Sequence, residues 1–495
     1  GAGTLTFSPS TTITGALTVN AGNVVFNNPT RVYGNIINSS NLTFLSSITA
    51  SGDLTNSGLC TFSNLSTFEK DLNLTGGTFT LGATAFVTGS LYQSGGAITF
   101  GANKINISKN YIRTTGGINE GTGKLEFTTS GTHLFQGGTN FQIHDLFVTG
   151  PGSNVIINSG SIRLSGDCYI GTNATITMDT YNLRFVGTGS TIINAGSYQS
   201  TNGGRVIFEG PDVGGLGTPG TVHTIYGPGE FGDMEIALTD ESDFVSIAAS
   251  QNIVFNRLLI LRQGTIDIPA TSSLNPVATG TGKIIRNLSG AGMANGHSFN
   301  ISPGGQFNSN MAPYDLEYDG ILSANQTVGN EFYVGTAGAL VRNLTISATD
   351  NVVNGLNTVQ FPTNVAGDYK YSGNLTVPVL AEVDITGNSN LISTLASASN
   401  SIVGAIWNSG AGEFKIVGGS ITSAQFTTSA PVPTGSVQKL RVTATSSQSI
   451  SLWNISNLTI DAANSAEVTI SMVNLANNGT IVPGTIVNYT QNAGN

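Results

Sequence analysis

Five short segments near the start of the chain carry the same figure at nearly constant spacing, and that repetition limits the possible folds more than any other feature. Gly15-Ala-Leu-Thr-Val, Gly34-Asn-Ile-Ile-Asn, Gly52-Asp-Leu-Thr-Asn, Lys70-Asp-Leu-Asn-Leu and Gly89-Ser-Leu-Tyr-Gln place Leu17, Ile36, Leu54, Leu72 and Leu91 at steps of roughly 18 or 19 residues. A second column keeps the same period through Phe26, Phe44, Phe62, then Phe79 or Leu81, then Phe100. Two columns in one register describe a coil that returns to the same place every repeat.

The local chemistry says what kind of coil. Runs such as Leu42-Thr43-Phe44 and Ala97-Ile98-Thr99-Phe100 alternate apolar and polar residues, which on a pleated strand sends one side chain inward and the next outward. Gly-Gly, Asn-Ala-Gly and Asn-Ser-Ser separate the runs. These residues accept left-handed backbone or fold a side chain onto it, so each repeat turns corners. A helix is excluded, because Gly, Thr, Asn, Val and Ile are poor helix formers and no sustained i, i+3, i+4, i+7 stripe exists. The expected fold is therefore all-β: a parallel β-helix, or β-solenoid, with coils of about 18–22 residues and loop insertions.

Downstream the figure loosens but persists. Asn256-Arg-Leu-Leu-Ile, Arg342-Asn-Leu-Thr-Ile, Gly373-Asn-Leu-Thr-Val, Lys439-Leu-Arg-Val and Ser456-Asn-Leu-Thr-Ile repeat a polar corner followed by Leu, a polar residue and Ile or Val. Gly203 to Asp233 and Gly290 to Tyr314 are rich in Gly and Pro or Asn, and read as loop excursions or seams. The expected organisation is a regular solenoid over 1–202, a solenoid with Gly/Pro-rich insertions over 203–314, and a more variable β-region over 315–495.

Only 9% of the 495 residues are charged, so Ser, Thr, Asn and 64 Gly must supply the polar surface. The net charge of −10 with 18 scattered Lys and Arg leaves no basic stripe for phosphates, which argues against nucleic acid. No run of about 18 apolar residues exists to span a membrane. Gly1 in place of Met reads as an N-terminus left by signal-peptide removal, hence a secreted, cell-surface protein. Cys60 and Cys168 sit inside apolar runs and read as small core residues rather than a disulfide or metal pair.

The Asn-Leu-Thr-Ile/Val phrases at 343–346, 374–377 and 457–460, the Gly264-Thr265-Ile266 step and the N-terminal period together resemble the secreted β-strand-repeat surface proteins of Bacteroidota. In coil length the chain resembles the filamentous-haemagglutinin type of parallel β-helix. The resemblance implies an extracellular adhesin or fibre.

Chemistry-bearing residues are sparse. Asp315, Glu317 and Asp319 alternate, so on a strand they share one face, which could bind Ca²⁺ or supply a carboxylate pair; the alternative is a solvated face with Leu316 and Tyr318 turned to the core. Asp240, Glu241 and Asp243 read as a polar turn. His133, His144, His223 and His297 are dispersed without metal-ligand spacing. The Asn-Thr-Asp, Asp-Asp and Gly-His-Gly signatures of polygalacturonase-like enzymes do not occur. Phe is expected on inward columns, leaving Trp407 and Trp453 as candidates for exposed stacking on sugars.

The expected role is thus an extracellular structural protein without enzymatic turnover or cofactor, a filament or fibre subunit whose main partner is itself. Assembly is expected through Leu5 and Phe7 at one end and Ile481, Val482, Ile486, Val487 and Tyr489 at the other, by coil stacking or strand donation. The alternatives are a monomeric adhesin stalk or carbohydrate-binding surface protein with surface glycans as partner, and a polysaccharide-degrading β-helix enzyme.

Overall fold

The side chain of one corner residue reaches the backbone of its equivalent in the next coil, and this contact recurs from coil to coil. In the computed structural model Asn35 Oδ1 accepts from the N–H of Asp53 (3.0 Å), Asp53 Oδ1 from Asp71 (3.1 Å) and Asp71 Oδ1 from Ser90 (2.7 Å). Each of these residues precedes an inward Ile or Leu, so the phrase recognised in the sequence is a corner, an inward rung, an outward rung and a second inward rung.

The structure describes residues 3–211, 220–240, 242–289, 299–334, 338–350, 357–378, 380–394, 399–402, 405–407, 409–416, 420–424, 439–444, 448–455, 457–462, 467–475 and 486–491. Among them there is no helix; parallel sheets stack as a β-solenoid of about 18 turns with coils about 21 residues apart. The chain divides into two compact units, Gly1–Thr239 with Val245–Ile253, and Asp240–Phe244 with Val254–Asn495.

In the first unit each early coil has three strands. Thr4–Phe7, Thr11–Ile13 and Leu17–Val19 form one coil, and Asn23–Phe26, Thr30–Val32 and Ile36–Asn38 the next, each strand pairing in parallel with its equivalent. The first column runs Leu17, Ile36, Leu54, Leu72, Leu91 in direct register. The second runs Phe7, Phe26, Phe44, Phe62, and Leu81 is its next rung. Phe79 belongs to the neighbouring column, opposite Cys60. The rings of Phe7 and Phe26 stack at 4.7 Å, those of Phe26 and Phe44 at 5.0 Å and those of Phe44 and Phe62 at 5.4 Å, close to the strand spacing of about 4.8 Å. Offset stacking thus continues the ladder that the backbone hydrogen bonds set.

Outward residues explain how so uncharged a chain presents a polar surface. Thr43, Thr61, Thr80 and Thr99 lie side by side on consecutive coils, a ladder of hydroxyls on a short-strand face. Inside, Asn38 and Asn56 are fully buried and joined by an Nδ2 to Oδ1 hydrogen bond of 2.7 Å, so the core tolerates an amide ladder because each rung satisfies the next. Cys60 and Cys168 are free and buried, as their apolar flanks imply, and loss of solvation pushes the Cys168 thiol up to about 12.

The Gly203–Asp233 stretch is not simply an excursion. It contributes the strands Val206–Phe208, Val222–Tyr226 and Glu230–Ala237, with Val206–Phe208 opposite Leu183–Phe185; residues 212–219 lie outside the described ones. Among the described residues the parallel ladder continues through this stretch.

The second unit keeps the stack with longer corners. Leu259, Ile284, Leu316, Leu344 and Leu375 succeed one another in register, and Leu440 faces Leu458. The phrases at 256–260, 342–346 and 373–377 are therefore equivalent rungs, whereas those at 439–442 and 457–460 continue the neighbouring column that runs through Tyr369, Leu391 and Phe414. A small parallel sheet of Gln326–Thr327, Val359–Gln360, Glu382–Asp384 and Ala405–Trp407 forms another side.

Candidate functional site

Asp315, Glu317 and Asp319 do share one face. They lie on the strand Tyr314–Asp319, half-buried, while Tyr314, Leu316 and Tyr318 point inward and are buried. Each carboxylate has partners on adjacent coils. Asp315 accepts from Arg342 through Nε (2.8 Å) and Nη2 (2.7 Å), and from the N–H and Nδ2 of Asn343. Glu317 pairs with Lys283 at 2.6 Å and accepts from Ser347 Oγ at 3.0 Å. Asp319 accepts from Asn287 Nδ2 at 2.9 Å.

Their electrostatics differ in sign. Burial alone pushes both carboxyls up; for Asp315 the bonds from Arg342 and Asn343 outweigh it and leave the group below its ordinary value, whereas for Asp319 burial prevails and leaves it above. Two ion pairs and an amide–carboxylate hydrogen bond thus link this face across three coils. Among the described residues no group of three or more His, Cys, Asp or Glu side chains is arranged to hold a metal ion.

The turn at Asp240 is built as its composition implies: Oδ1 accepts from the N–H of Ser242 (2.7 Å), its hydroxyl (2.6 Å) and the N–H of Asp243 (3.1 Å), while Glu241 lies outside the described residues. His133 is buried with each ring nitrogen 2.9 Å from a carbonyl oxygen, of Lys109 and of Thr129. His144 meets Asp145 at 2.6 Å, and His223 is buried against Glu209 and Ser190. His297 lies outside the described residues.

Of the residues expected to mediate assembly, Leu5 points to the core side yet is 55% exposed, and Phe7 stacks on Phe26. Ile486, Val487 and Tyr489 lie on the strand Ile486–Gln491, opposite Glu467, Val468 and Ile470. Ile481 and Val482, and the side chains of Trp407 and Trp453, lie outside what is described.

Two features were not legible beforehand. The first corrects the expectation that Phe is confined to inward columns. Phe147 and Tyr169 are outward neighbours on successive coils with ring centroids 5.7 Å apart, and Lys124 Nζ lies 3.8 Å from the Phe147 ring centre. Phe86 is likewise outward and exposed. Strand alternation decides which way a ring points, and Phe147 occupies the outward position between the buried Leu146 and Val148.

The second is a buried charge cluster beside a groove. Arg286 and Glu331 are almost wholly excluded from solvent and paired at 2.7 Å. Glu331 Oε1 also accepts from Tyr318 Oη (3.0 Å) and the N–H of Gly329 (2.8 Å), and Arg286 donates to the carbonyl of Thr327 (2.7 Å). Loss of solvation pushes the Tyr318 phenol well above its ordinary value. A groove of about 580 Å³ lies alongside, walled by corner segments at 301–311, 330–334 and 364–366 from successive coils. Its floor is Phe307, Phe332 and Asn308, all buried.

These observations define a class, a parallel β-solenoid repeat protein with an ion-paired face and a corner groove. Comparison with protein-family models, with curated proteins and with solved structures gave no match.

Proposed function

We propose that the chain is an extracellular structural protein, a subunit of a surface filament or fibre whose members associate by stacking coil on coil. The observation that carries this reading is the constancy of register. From Thr4 to Leu81 every first-strand rung lies directly over its equivalent, so each coil presents the next with the same hydrogen-bonding edge, and from Phe7 to Phe62 with the same aromatic column. A stack that propagates within a chain by one repeated interface can propagate between chains by the same one. The hydroxyl-rich, weakly charged flank suits a passive scaffold, and the resemblance to secreted β-strand-repeat surface proteins implies the same role. Neither a cofactor nor turnover is required of it.

Sedimentation and electron microscopy of the full chain test this. Rods that lengthen with concentration, and shorten when Leu5→Lys places a charge on an edge rung, are the expected outcome. A monodisperse monomer at every concentration would overturn the reading.

A second reading, a carbohydrate-binding surface protein, is favoured by the groove at 301–311, 330–334 and 364–366, which no charged side chain lines among the described residues.

A further inference from the structure

We propose that this groove is a preformed site for a neutral oligosaccharide. The inference rests on the second reading above and is independent of filament assembly.

The lining sets the ligand's charge class. Among the described residues no Asp, Glu, Lys, Arg or His lines the groove; its polar side chains are the amides of Gln306, Asn308, Asn330 and Asn364 and the hydroxyls of Ser309 and Tyr333. An amide offers donor and acceptor side by side, a match for neighbouring sugar hydroxyls that both give and take hydrogen bonds, and the exposed Gln306 presents such a pair; Asn330 Nδ2 meanwhile donates to the carbonyl of Phe299 (3.0 Å) and Asn364 Oδ1 accepts from the Ala366 N–H (2.9 Å), which hold those two amides at the groove. A carboxylated or phosphorylated ligand finds no cation among them, since Arg286 is buried against Glu331. Apolar surface is interleaved with these groups. Met311 is 52% exposed and Val365 fully so, beside the Tyr333 ring, which provides faces for the C–H side of a sugar ring. The volume lies within the roughly 300–1,000 Å³ of small-molecule sites.

Both walls are braced. On one side Asn308 and Met311 hold left-handed backbone at φ 57° and 53°, a conformation that non-glycine residues rarely keep. Asn308 clasps this turn with its own side chain, Nδ2 donating to the carbonyl of Ala312 (2.8 Å) and Oδ1 accepting from the Ala312 N–H (2.9 Å). That turn leaves Met311 projecting at the groove when burial would be the ordinary fate of its side chain. Backbone strain that the surroundings over-determine clusters at binding sites.

On the other side Glu331 anchors the turn that carries Asn330 and Tyr333. Tyr314 Oη donates to the carbonyl of Glu331 (2.7 Å) and accepts from the N–H of Tyr333 (2.9 Å). A buried carboxylate and a buried phenol therefore fix the backbone of the turn that presents Tyr333 to the groove. Walls held before the ligand arrives lose little freedom on binding, which favours affinity from modest contacts.

Calorimetry on the full chain, with neutral cello-, xylo-, manno- and chito-oligosaccharides and with acidic oligogalacturonate, tests the proposal. One or more neutral series should bind, and Tyr333→Ala and Gln306→Ala should each weaken it by about tenfold or more, with unchanged thermal unfolding. Tyr169→Ala, on the outward aromatic pair of the other unit, should leave binding intact. Absence of binding by all neutral series, preference for the acidic one, or neutral binding that survives both groove variants would overturn it. Sedimentation of the same variants should be unchanged, so failure of the groove and failure of the filament reading are read separately.

Discussion

The backbone N–H of Asp71 donates to the carboxylate of Asp53, one coil earlier, at 3.1 Å, and Asp71 in turn accepts from the N–H of Ser90 at 2.7 Å. The same arrangement recurs from Asn343 to Asn374 (3.0 Å) and from Asp368 to Asn390 (2.8 Å). A corner N–H that cannot join the strand ladder is thereby satisfied by a side chain, and the acceptor must be short enough to lie over it.

Asp53→Ala should accordingly destabilise the N-terminal coils by about 1 kcal/mol, the loss of one hydrogen bond that leaves a donor unmet. Asp53→Asn should be near neutral, because Asn keeps the acceptor and removes one of two stacked negative charges. Thermal unfolding, with amide exchange at Asp71 as the local reporter, separates the two; equal effects would show that the acceptor is irrelevant.

Glycine has a stricter role at a second corner. Gly77 has φ +62°, and a Cβ there would collide with the carbonyl oxygen of Gly58 in the coil beneath. Both the dihedral and the stacking exclude a side chain. Gly77→Ala should cost at least about 2 kcal/mol, whereas Gly15→Ala, with open space around its Cβ position, should be tolerated. Circular dichroism melts of the two variants check this.

The early coils were readable in the sequence because period, alternation and corner chemistry agree there. Leu17, Ile36 and Leu54 are evenly spaced, inward, and each preceded by a polar corner or by Ala16. In the Gly203–Asp233 stretch the strands Val206–Phe208, Val222–Tyr226 and Glu230–Ala237 had no regular spacing to mark them, because Gly- and Pro-rich sequence dilutes the alternation between them. Asp315, Glu317 and Asp319 could be placed on one face from alternation, but their partners Arg342, Lys283 and Asn287 come from other coils at distances along the chain that no local pattern encodes. For the same reason the Arg286–Glu331 pair, 45 residues apart, left no sequence signal.

Acid should act on this face in two opposite directions. Asp315 lies below its ordinary value of 3.8 in the folded chain, so its contribution is present above that pH and is lost as pH falls through the lowered value. Asp319 lies above its ordinary value, so its contribution is present below 3.8 and is lost as pH rises through the raised one. At about pH 7, Asp315→Asn should be less stable than the parent by about 1 kcal/mol, a modest figure because the Arg342 side chain is 40% exposed and screened. Asp319→Asn should equal or exceed the parent. Melting temperatures between about pH 3 and pH 7 should bring both variants toward the parent as acid is added, from opposite sides.

The buried pair gives the sharpest expectation, because each partner is costly alone. With Arg286 at 1% and Glu331 at 0% side-chain exposure, Glu331→Gln removes the carboxylate charge that meets the guanidinium at 2.7 Å, and Arg286→Met removes the cation from a buried carboxylate that also accepts from Tyr318 and the Gly329 N–H. Either change should cost about 3–5 kcal/mol. The double variant should cost much less than the sum, since the introduced glutamine would still accept from Tyr318 and Gly329 with no charge left to compensate. A denaturant-unfolding cycle on the four proteins measures the coupling. Additive losses would mean that the two side chains stabilise the turn independently, and that the ion pair is not what holds the wall of the groove in place.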